Sequence, residues 1–456
     1  MKNMTLKNIV QCCGGTYFGD RSRIDTEVEQ IAIDSRKVVK GGLFIPIRGE
    51  RVDGHSFIPA VMDAGAAASL SEEEIKNPNG PYILVESTKE ALKKIAAFYR
   101  RSLGIKVVGI TGSVGKTSTK EMIASVLKEK YNVHKTAGNF NNEIGLPLTI
   151  FDIKKEHEVA VLEMGISDFG EMHRLAEIAN PDICVITNIG LCHLENLGSR
   201  DGILRAKTEV FDHLRGDGIV ILNGDDDKLA TIQNVNGKRP ILYGKNQKDV
   251  YASDIEPLGM EGIRMKLHLY GECREVTIPI PGEHNIYNAL AAACAGRVCG
   301  MNIDDICRGI ETVESISGRS NLIQKNGITV IDDCYNANPV SMQASIDVLS
   351  GAAGRKIAVL GDMGELGESE RSLHAGIGRY VAQKQIDFLY CTGELSKEMV
   401  QATQSVAGNR TYAAHFETKE DLTAYLLSVI KKGDTLLIKA SHFMEFSKIV
   451  KALTAS

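Results

Sequence analysis

Lys116 and Thr117, preceded by Gly112 and Gly115, lie in a stretch that reads IKVVGITGSVGKTSTK from Ile105 to Lys120. These residue types at this spacing suit a polyphosphate. In the turn Thr111-Gly112-Ser113-Val114-Gly115, the two glycines let successive backbone N–H groups point inward with no Cβ in the way. Lys116-Thr117-Ser118 then opens a helix, whose N-terminus adds unpaired donors and a positive dipole end. Lys116 can reach the β- and γ-phosphates of a nucleotide, and the Thr117 hydroxyl can ligate Mg²⁺. The full Walker pattern puts a glycine five residues before Gly115, where this chain has Ile110. A glycine turn ahead of an ordinary helix is the plain alternative. The strand–turn–helix setting favours an ATP or GTP site.

Five further groups carry chemistry less securely. Glu163 ends the apolar run EVAVLEM and offers a hard oxygen ligand for Mg²⁺ opposite Thr117; taken alone it reads equally as a helix cap or a surface charge. His193 follows the run ICVITNI, and a loop histidine is more often a hydrogen-bonded structural residue than a ligand. Lys207 and Glu209 lie on the expected helix Ile203–Leu214 and read as a solvated face. Asn285 and Asn288 open a helix at GEHNIYNALAA; Asn285 as helix cap is the default, while an i, i+3 pair of amides can also meet an adenine edge. Near the N-terminus, Asp34-Ser35-Arg36 follows a strand and can hold a phosphate or ribose, or be a solvated turn.

The elements that must position these residues alternate. Before the phosphate loop, strand-like runs at 31–33, 43–47 and 82–85 and a small-residue helix near 58–68 suffice for a small α/β domain, followed by a helix over 92–103. Strands over 105–110, 158–164, 183–189 and 218–222 alternate with helices, which implies a doubly wound parallel sheet. Such sheets bind ligands beyond the carboxyl ends of their strands, a rule that brings the loop, Glu163 and His193 to one rim. A strand over 275–281 ends this region. Gly318-Arg319 reads as a hinge into a third domain of Rossmann-like alternation, with strands over 329–331, 357–360, 388–391 and 435–438. Gly361, Gly364 and Gly367 miss the dinucleotide fingerprint, so NAD is not expected. The expected fold is therefore α/β in three domains: residues 1–104, 105–317 and 318–456.

At 456 residues the chain exceeds one core. It is 43% hydrophobic and 24% charged, ordinary for a globular protein. A net charge of −5, with no long basic run, gives no reason to expect nucleic acid or a membrane surface. No stretch approaches the ~20 apolar residues of a membrane span, and MKNMTLKNIVQCCGG is too interrupted for a signal peptide. The ten cysteines include no Cys-x-x-Cys pair, which fits reduced thiols in a cytoplasmic enzyme better than zinc or disulfides.

These stretches, in this order, resemble the Mur ligase family, ATP-dependent enzymes that extend the peptide of bacterial cell-wall precursors. The likeness runs from DSRKV and GERVDGHSF to LLIKAS, and includes TGSVGKTSTKEM, NFNNEIGLPLT, TNIGLCHLENLGS, AKTEVF and GEHNIYNALAA. DDCYNANPVSM and LGDMGELGE point within the family to the member that joins D-alanyl-D-alanine to UDP-N-acetylmuramoyl-tripeptide through an acyl phosphate. The resemblance implies that Glu163 and His193 bind Mg²⁺ and that Lys207 is carbamylated, ligating a second metal. It implies Asn285 and Asn288 near adenine, Arg319 on the ATP phosphates, and Asp333, neighbour of Asp332, on the nucleotide's third-domain side. Ser35 and Arg36 would lie in the uridine diphosphate pocket, and Asn336 and Asn338 near the dipeptide. A cytoplasmic monomer is the expected state. The usual Lys-Gly-Ser-Arg string is Lys439-Ala440-Ser441-His442 here, and Ser447 stands where a glutamate is usual. Protonated His442 could substitute in part for the arginine. Rival readings are another amide ligase of this architecture, including one for folate glutamylation, and a P-loop ATPase coupled to motion.

Overall fold

The computed structural model describes residues 1–455; Ser456, the last residue of the expected third domain, lies outside the described residues. The strands gather into sheets of five, nine and six, so the fold is mixed α/β. The chain packs as two compact units. One holds Met1–Thr111, Tyr131–Cys184 and Thr208–Ile219; the other holds Gly112–Lys130, Val185–Lys207 and Val220–Ser456.

In the first unit, Thr16–Phe18 lies antiparallel to Tyr82–Leu84, and Ala68–Ser71, Leu43–Phe44 and Ile31–Ala32 follow in parallel. The helix Thr88–Ser102 is capped by Ser87, whose Oγ accepts from Glu90 N–H. Its last turn carries Arg100, only 1% exposed, which donates to Ala179 O, Asn180 O and Asp182 Oδ2 at 2.9–3.0 Å. Asp182 Oδ2 also accepts Val107 N–H at 2.8 Å, so this buried guanidinium pins the start of the phosphate-loop strand. That strand, Lys106–Thr111, pairs in parallel with Val159–Glu163, which pairs with Val133–Lys135. Both longer strands are largely apolar and buried, as parallel strands covered on two faces require.

In the second unit, Val185–Lys207 contributes most of the helix Arg200–Thr208. Here also lies a run that the sequence reading reduced to one strand. Val250–Pro257, Ile263–Leu269 and Glu272–Ile278 form an antiparallel ribbon. Ile263, Met265, Leu267 and Leu269 are buried while the residues between them face outward, the period-2 alternation of a one-sided sheet. The six-stranded sheet runs Asn321–Lys325, Ile328–Asp332, Thr435–Lys439, Lys356–Gly361, Phe388–Thr392, Tyr412–Phe416. Only its first pair is antiparallel. The turn at the expected hinge is tied down: Gly318, at φ 76°, donates its N–H to Asp332 Oδ2 at 2.8 Å.

Candidate functional site

The phosphate loop is shaped by the chain that follows Val185. Ser113 N–H donates to Asn188 O and Val114 N–H to Asn188 Oδ1, at 3.0 and 2.9 Å. Thr187 Oγ1 and Asn188 Nδ2 both donate to Val114 O. Gly112 (φ 147°) has no room for a side chain, because a Cβ there would lie 2.0 Å from Thr187 Oγ1. Gly115 (φ 80°) turns the chain into the helix Lys116–Lys128. Lys116 Nζ lies over the loop, donating to Gly112 O at 2.8 Å. Thr117 sits at the first turn, 9% exposed, and Ser118 lines a pocket there.

In the first unit, Glu163 closes its strand in register with Ile110, the residue before the loop's Thr111. Its carboxylate is buried, and Oε1 accepts from Asn141 Nδ2 at 2.8 Å. Asn141 O in turn accepts Gly165 N–H, so one asparagine fixes both the acid and the turn after it. Glu209 is no solvated charge. Its carboxylate accepts Gly170 N–H at 3.0 and 3.1 Å and His173 N–H at 3.3 Å, serving the first turn of the helix Glu171–Ala179.

Lys207 departs furthest from its expected solvated face. It is 1% exposed, and among the described residues it has no ion-pair partner. Burial pushes its ammonium down to about 8, with the Cys192 thiol opposing and the Lys116 cation adding to the shift. His193 takes left-handed backbone (φ 53°) ahead of the short helix Leu194–Leu197, and its Nδ1 lies 2.7 Å from Glu365 Oε2. The imidazole beside it holds the Glu365 carboxyl below the usual carboxylate range.

Asn285 is not the helix cap. Glu283 holds that position in His284–Val298, and Asn285 turns inward, donating from Nδ2 to Pro281 O. Its Oδ1 accepts from Asn288 Nδ2 at 2.9 Å, and Asn288 Oδ1 accepts from Thr119 Oγ1 at 2.8 Å. This chain of amides ties the adenine-edge candidates to the phosphate-loop helix. The pocket there is lined by Ser118, Glu121, His284, Asn285, Arg319 and Ser320, among others. Burial drives the His284 imidazole below its usual range, with Asp333 opposing and Lys439 reinforcing the shift. Arg319 Nη2 donates to Thr117 Oγ1 at 3.1 Å, and its guanidinium lies 4.0 Å from the centroid of the Tyr335 ring.

The two aspartates after Ile331 separate by role. Asp332 holds the Gly318 turn through Gly318 N–H and Ser317 Oγ. Asp333 is buried against Lys439 Nζ at 2.7 Å and also accepts from Ser320 N–H and Ser345 Oγ. Lys439 donates as well to Asn336 O at 3.0 Å. Asn338 caps the helix Pro339–Ser350 in a capping box with Ser341, so its side-chain oxygen is engaged. His442 packs edge-on to Tyr335, centroids 5.8 Å apart, and Ser447 begins the last helix. In the first unit, Ser35 and Arg36 lie in the turn Ser35–Lys37. Arg36 is exposed and forks onto Asp34, whose carboxyl its hydrogen bonds draw down to about 2.

Sequence reasoning gave no role to Asn141, Thr187, Asn188, Tyr335 or Glu365. All five lie in stretches quoted for the family likeness, and their partners are remote in sequence. Among the described residues no three His, Cys, Asp or Glu side chains converge on a metal centre. Mg²⁺ does not ask for that: it is commonly held by one or two carboxylates with substrate phosphates and water. In the second unit the Thr117 hydroxyl and the His193 imidazole are donors of that chemistry, and the glycine cradle suits phosphate; in the first unit the Glu163 carboxylate is a hard oxygen donor.

Residues 27–100 match the Mur ligase family catalytic domain, 110–296 the Mur ligase middle domain, and 318–442 the Mur ligase glutamate ligase domain. The chain is 40% identical to the UDP-N-acetylmuramoyl-tripeptide–D-alanyl-D-alanine ligase of Bacillus subtilis (strain 168), covering 100% of this chain and 99% of that one. A crystal structure of MurF from Acinetobacter baumannii superposes with a TM-score of 0.91 at 33% identity, over 99% of each chain. MurF ligase from Thermotoga maritima, in complex with ADP, gives 0.83 at 30% identity, over 93% of this chain and 97% of that one.

Proposed function

Because this chain belongs to the Mur ligase family, we propose that it is the ATP-dependent ligase that joins D-alanyl-D-alanine to UDP-N-acetylmuramoyl-tripeptide. The γ-phosphoryl passes from ATP to the terminal carboxylate of the tripeptide, giving ADP and an acyl phosphate. The dipeptide amine attacks the acyl carbon, and the tetrahedral intermediate loses phosphate and a proton to leave the amide. Phosphorylation is needed because a free carboxylate has no adequate leaving group. Lys116 and the loop N–H groups neutralise the charge that spreads over the transferring phosphoryl. The observation that carries the reading is Arg319: from the start of the third matched segment, it reaches Thr117 Oγ1 of the phosphate loop.

Thr117, Glu163 and His193 would hold Mg²⁺, which when bound screens the phosphate oxygens. Lys207 suits carbamylation, which needs a neutral amine: at about 8, its depressed pKa leaves far more of that form near neutrality than an exposed lysine has. The modification would replace a cation by an anionic oxygen, the ligand for a second metal. Asn285 and Asn288 would face adenine, and Asp333 would act through Lys439 on the nucleotide's other side. Asn336 and Asn338 would lie near the dipeptide, and Ser35 and Arg36 near the uridine diphosphate. The domains are read as 1–104, 105–317 and 318–456. A monomer is the proposed state. ATP and UDP-linked substrates support a cytoplasmic setting, and among the described residues no helix is long and apolar enough to cross a membrane.

The test is phosphate release from ATP with Mg²⁺, adding the UDP-linked tripeptide and D-alanyl-D-alanine singly and together. Release that needs both, with a pentapeptide product by mass, is expected; fast release with neither would sink the ligase reading. In ¹³C-bicarbonate, a carbamate resonance absent from Lys207→Met is expected, and identical spectra would remove the modification.

A further inference from the structure

His193 and Glu365 both sit on left-handed backbone, at φ 53° and 61°. For a residue with a Cβ that conformation is unfavourable, and such strain collects at functional positions. The two strained residues meet, Nδ1 to Oε2, at 2.7 Å. An exposed ion pair contributes little to stability, too little to offset two strained turns, and the Glu365 side chain is 62% exposed. Stability therefore does not account for the pair.

The loop that delivers Glu365 is pinned on both sides. Met363 N–H donates to His374 Nε2 and Gly364 N–H to Ser441 Oγ, each at 2.9 Å, and Leu366 is buried at 3%. The carboxylate thus reaches His193 from a fixed base in the segment after Gly318. An ionised carboxylate only accepts, so the ring donates from Nδ1. In a neutral ring, the form that can ligate a metal, this leaves the lone pair on Nε2. Metal-binding histidines commonly donate their other ring N–H to a carboxylate in this way, which fixes ring orientation and raises ligand basicity.

We propose that Glu365 is a positioning residue for His193, holding the tautomer that presents Nε2 to the divalent cation and making that presentation depend on the segment after Gly318. The inference rests on reading His193 as a metal ligand. It is tested with Mn²⁺ as the probe ion, titrated into the full-length protein with saturating ADP and followed by the electron paramagnetic resonance of free Mn²⁺. Glu365→Ala, Glu365→Gln and His193→Ala are compared with the unsubstituted protein. Because the carboxylate is exposed, its removal opens no cavity, and an unchanged unfolding midpoint establishes that Glu365→Ala is folded. Glu365→Ala is expected to weaken Mn²⁺ binding about 10–100-fold, with Glu365→Gln between, since its amide oxygen still accepts. The Mg²⁺ concentration for half-maximal rate should rise by the same factor, with little change in kcat at saturating Mg²⁺. If His193→Ala weakens Mn²⁺ binding and Glu365→Ala does not, the positioning role is overturned and the ligand reading stands. If neither variant differs from the unsubstituted protein, His193 is not a ligand and the proposal falls with that reading.

Discussion

Replacing Lys207 by methionine should make the protein more stable while abolishing ligation. The buried ammonium has its pKa moved from 10.5 to about 8, chiefly by burial. Near pH 7 both the folded and the unfolded chain hold the proton, so the folded state bears the full penalty. At about 1.4 kcal/mol per unit that is roughly 3 kcal/mol. As pH rises through the folded value, the folded state releases its proton while the unfolded chain keeps its own. The unfolded state then binds more protons, so stability rises with pH, and by about pH 9.5 the penalty falls to roughly 1.4 kcal/mol. Methionine fills a similar volume and carries no charge, so the variant lacks the penalty at either pH. The assay is thermal unfolding of both proteins in bicarbonate-free, metal-free buffer at the two pH values; the difference of differences cancels every other titrating group. At about 2 °C per kcal/mol for a unit of this size, the variant should melt about 6 °C higher near pH 7 and about 3 °C higher near pH 9.5. A gap that does not shrink with pH, or a variant no more stable near neutrality, would refute the reading of Lys207 as a desolvated ammonium.

Gly112→Ala should lower the melting point and abolish ADP binding by calorimetry, since the new Cβ would sit 2.0 Å from Thr187 Oγ1. Gly376→Ala, in the helix Glu370–Gln383 with nothing within 4 Å of the new atom, is the control and should stabilise by up to ~1 kcal/mol. Lys439→Met should destabilise by about 3–5 kcal/mol in denaturant titrations, because Asp333 is left buried without its counter-ion. Adding Asp333→Asn to Lys439→Met should recover part of that loss; a double variant no more stable than the single one would show that the ion pair is not the cause.

The phosphate loop is legible in sequence because its parts are local: one strand, one turn and the first residues of one helix. That Glu163 ends one parallel strand and His193 follows another is legible through topology, since a parallel sheet places loops at its strand ends. What escapes is whatever depends on distant partners. Lys207 has the spacing of a surface lysine, and only the packing around its helix shows that the ammonium is dry. Asn285 looks like a cap because capping is a local signal, yet Asn288 claims its side-chain oxygen from within the core, and Thr119 in turn claims Asn288. Glu209 carries no mark in sequence that it serves a helix 38 residues upstream, at Glu171. The antiparallel ribbon is different, because its alternation over Ile263–Leu269 stands in the sequence as a period of two and was readable there.

A protein that only hydrolysed ATP would need the phosphate loop and a carboxylate. It would have no task for Lys207, an ammonium kept dry at a cost of roughly 3 kcal/mol, nor for an arginine brought to Thr117 from the segment after Gly318. Acyl-phosphate chemistry gives both a reason. The intermediate is lost to water unless the amine arrives first, so phosphoryl transfer should wait for the segment expected to bind the dipeptide. Arg319 belongs to that segment. Its guanidinium rests on Tyr335, next to Asn336 in the same stretch, and reaches the hydroxyl expected to bind Mg²⁺. Glu365 is brought to His193 from the same segment. Two separate contacts from one segment thus touch residues expected to hold metal and phosphate, so on the proposed reading the phosphorylating site would be complete only with that segment in place.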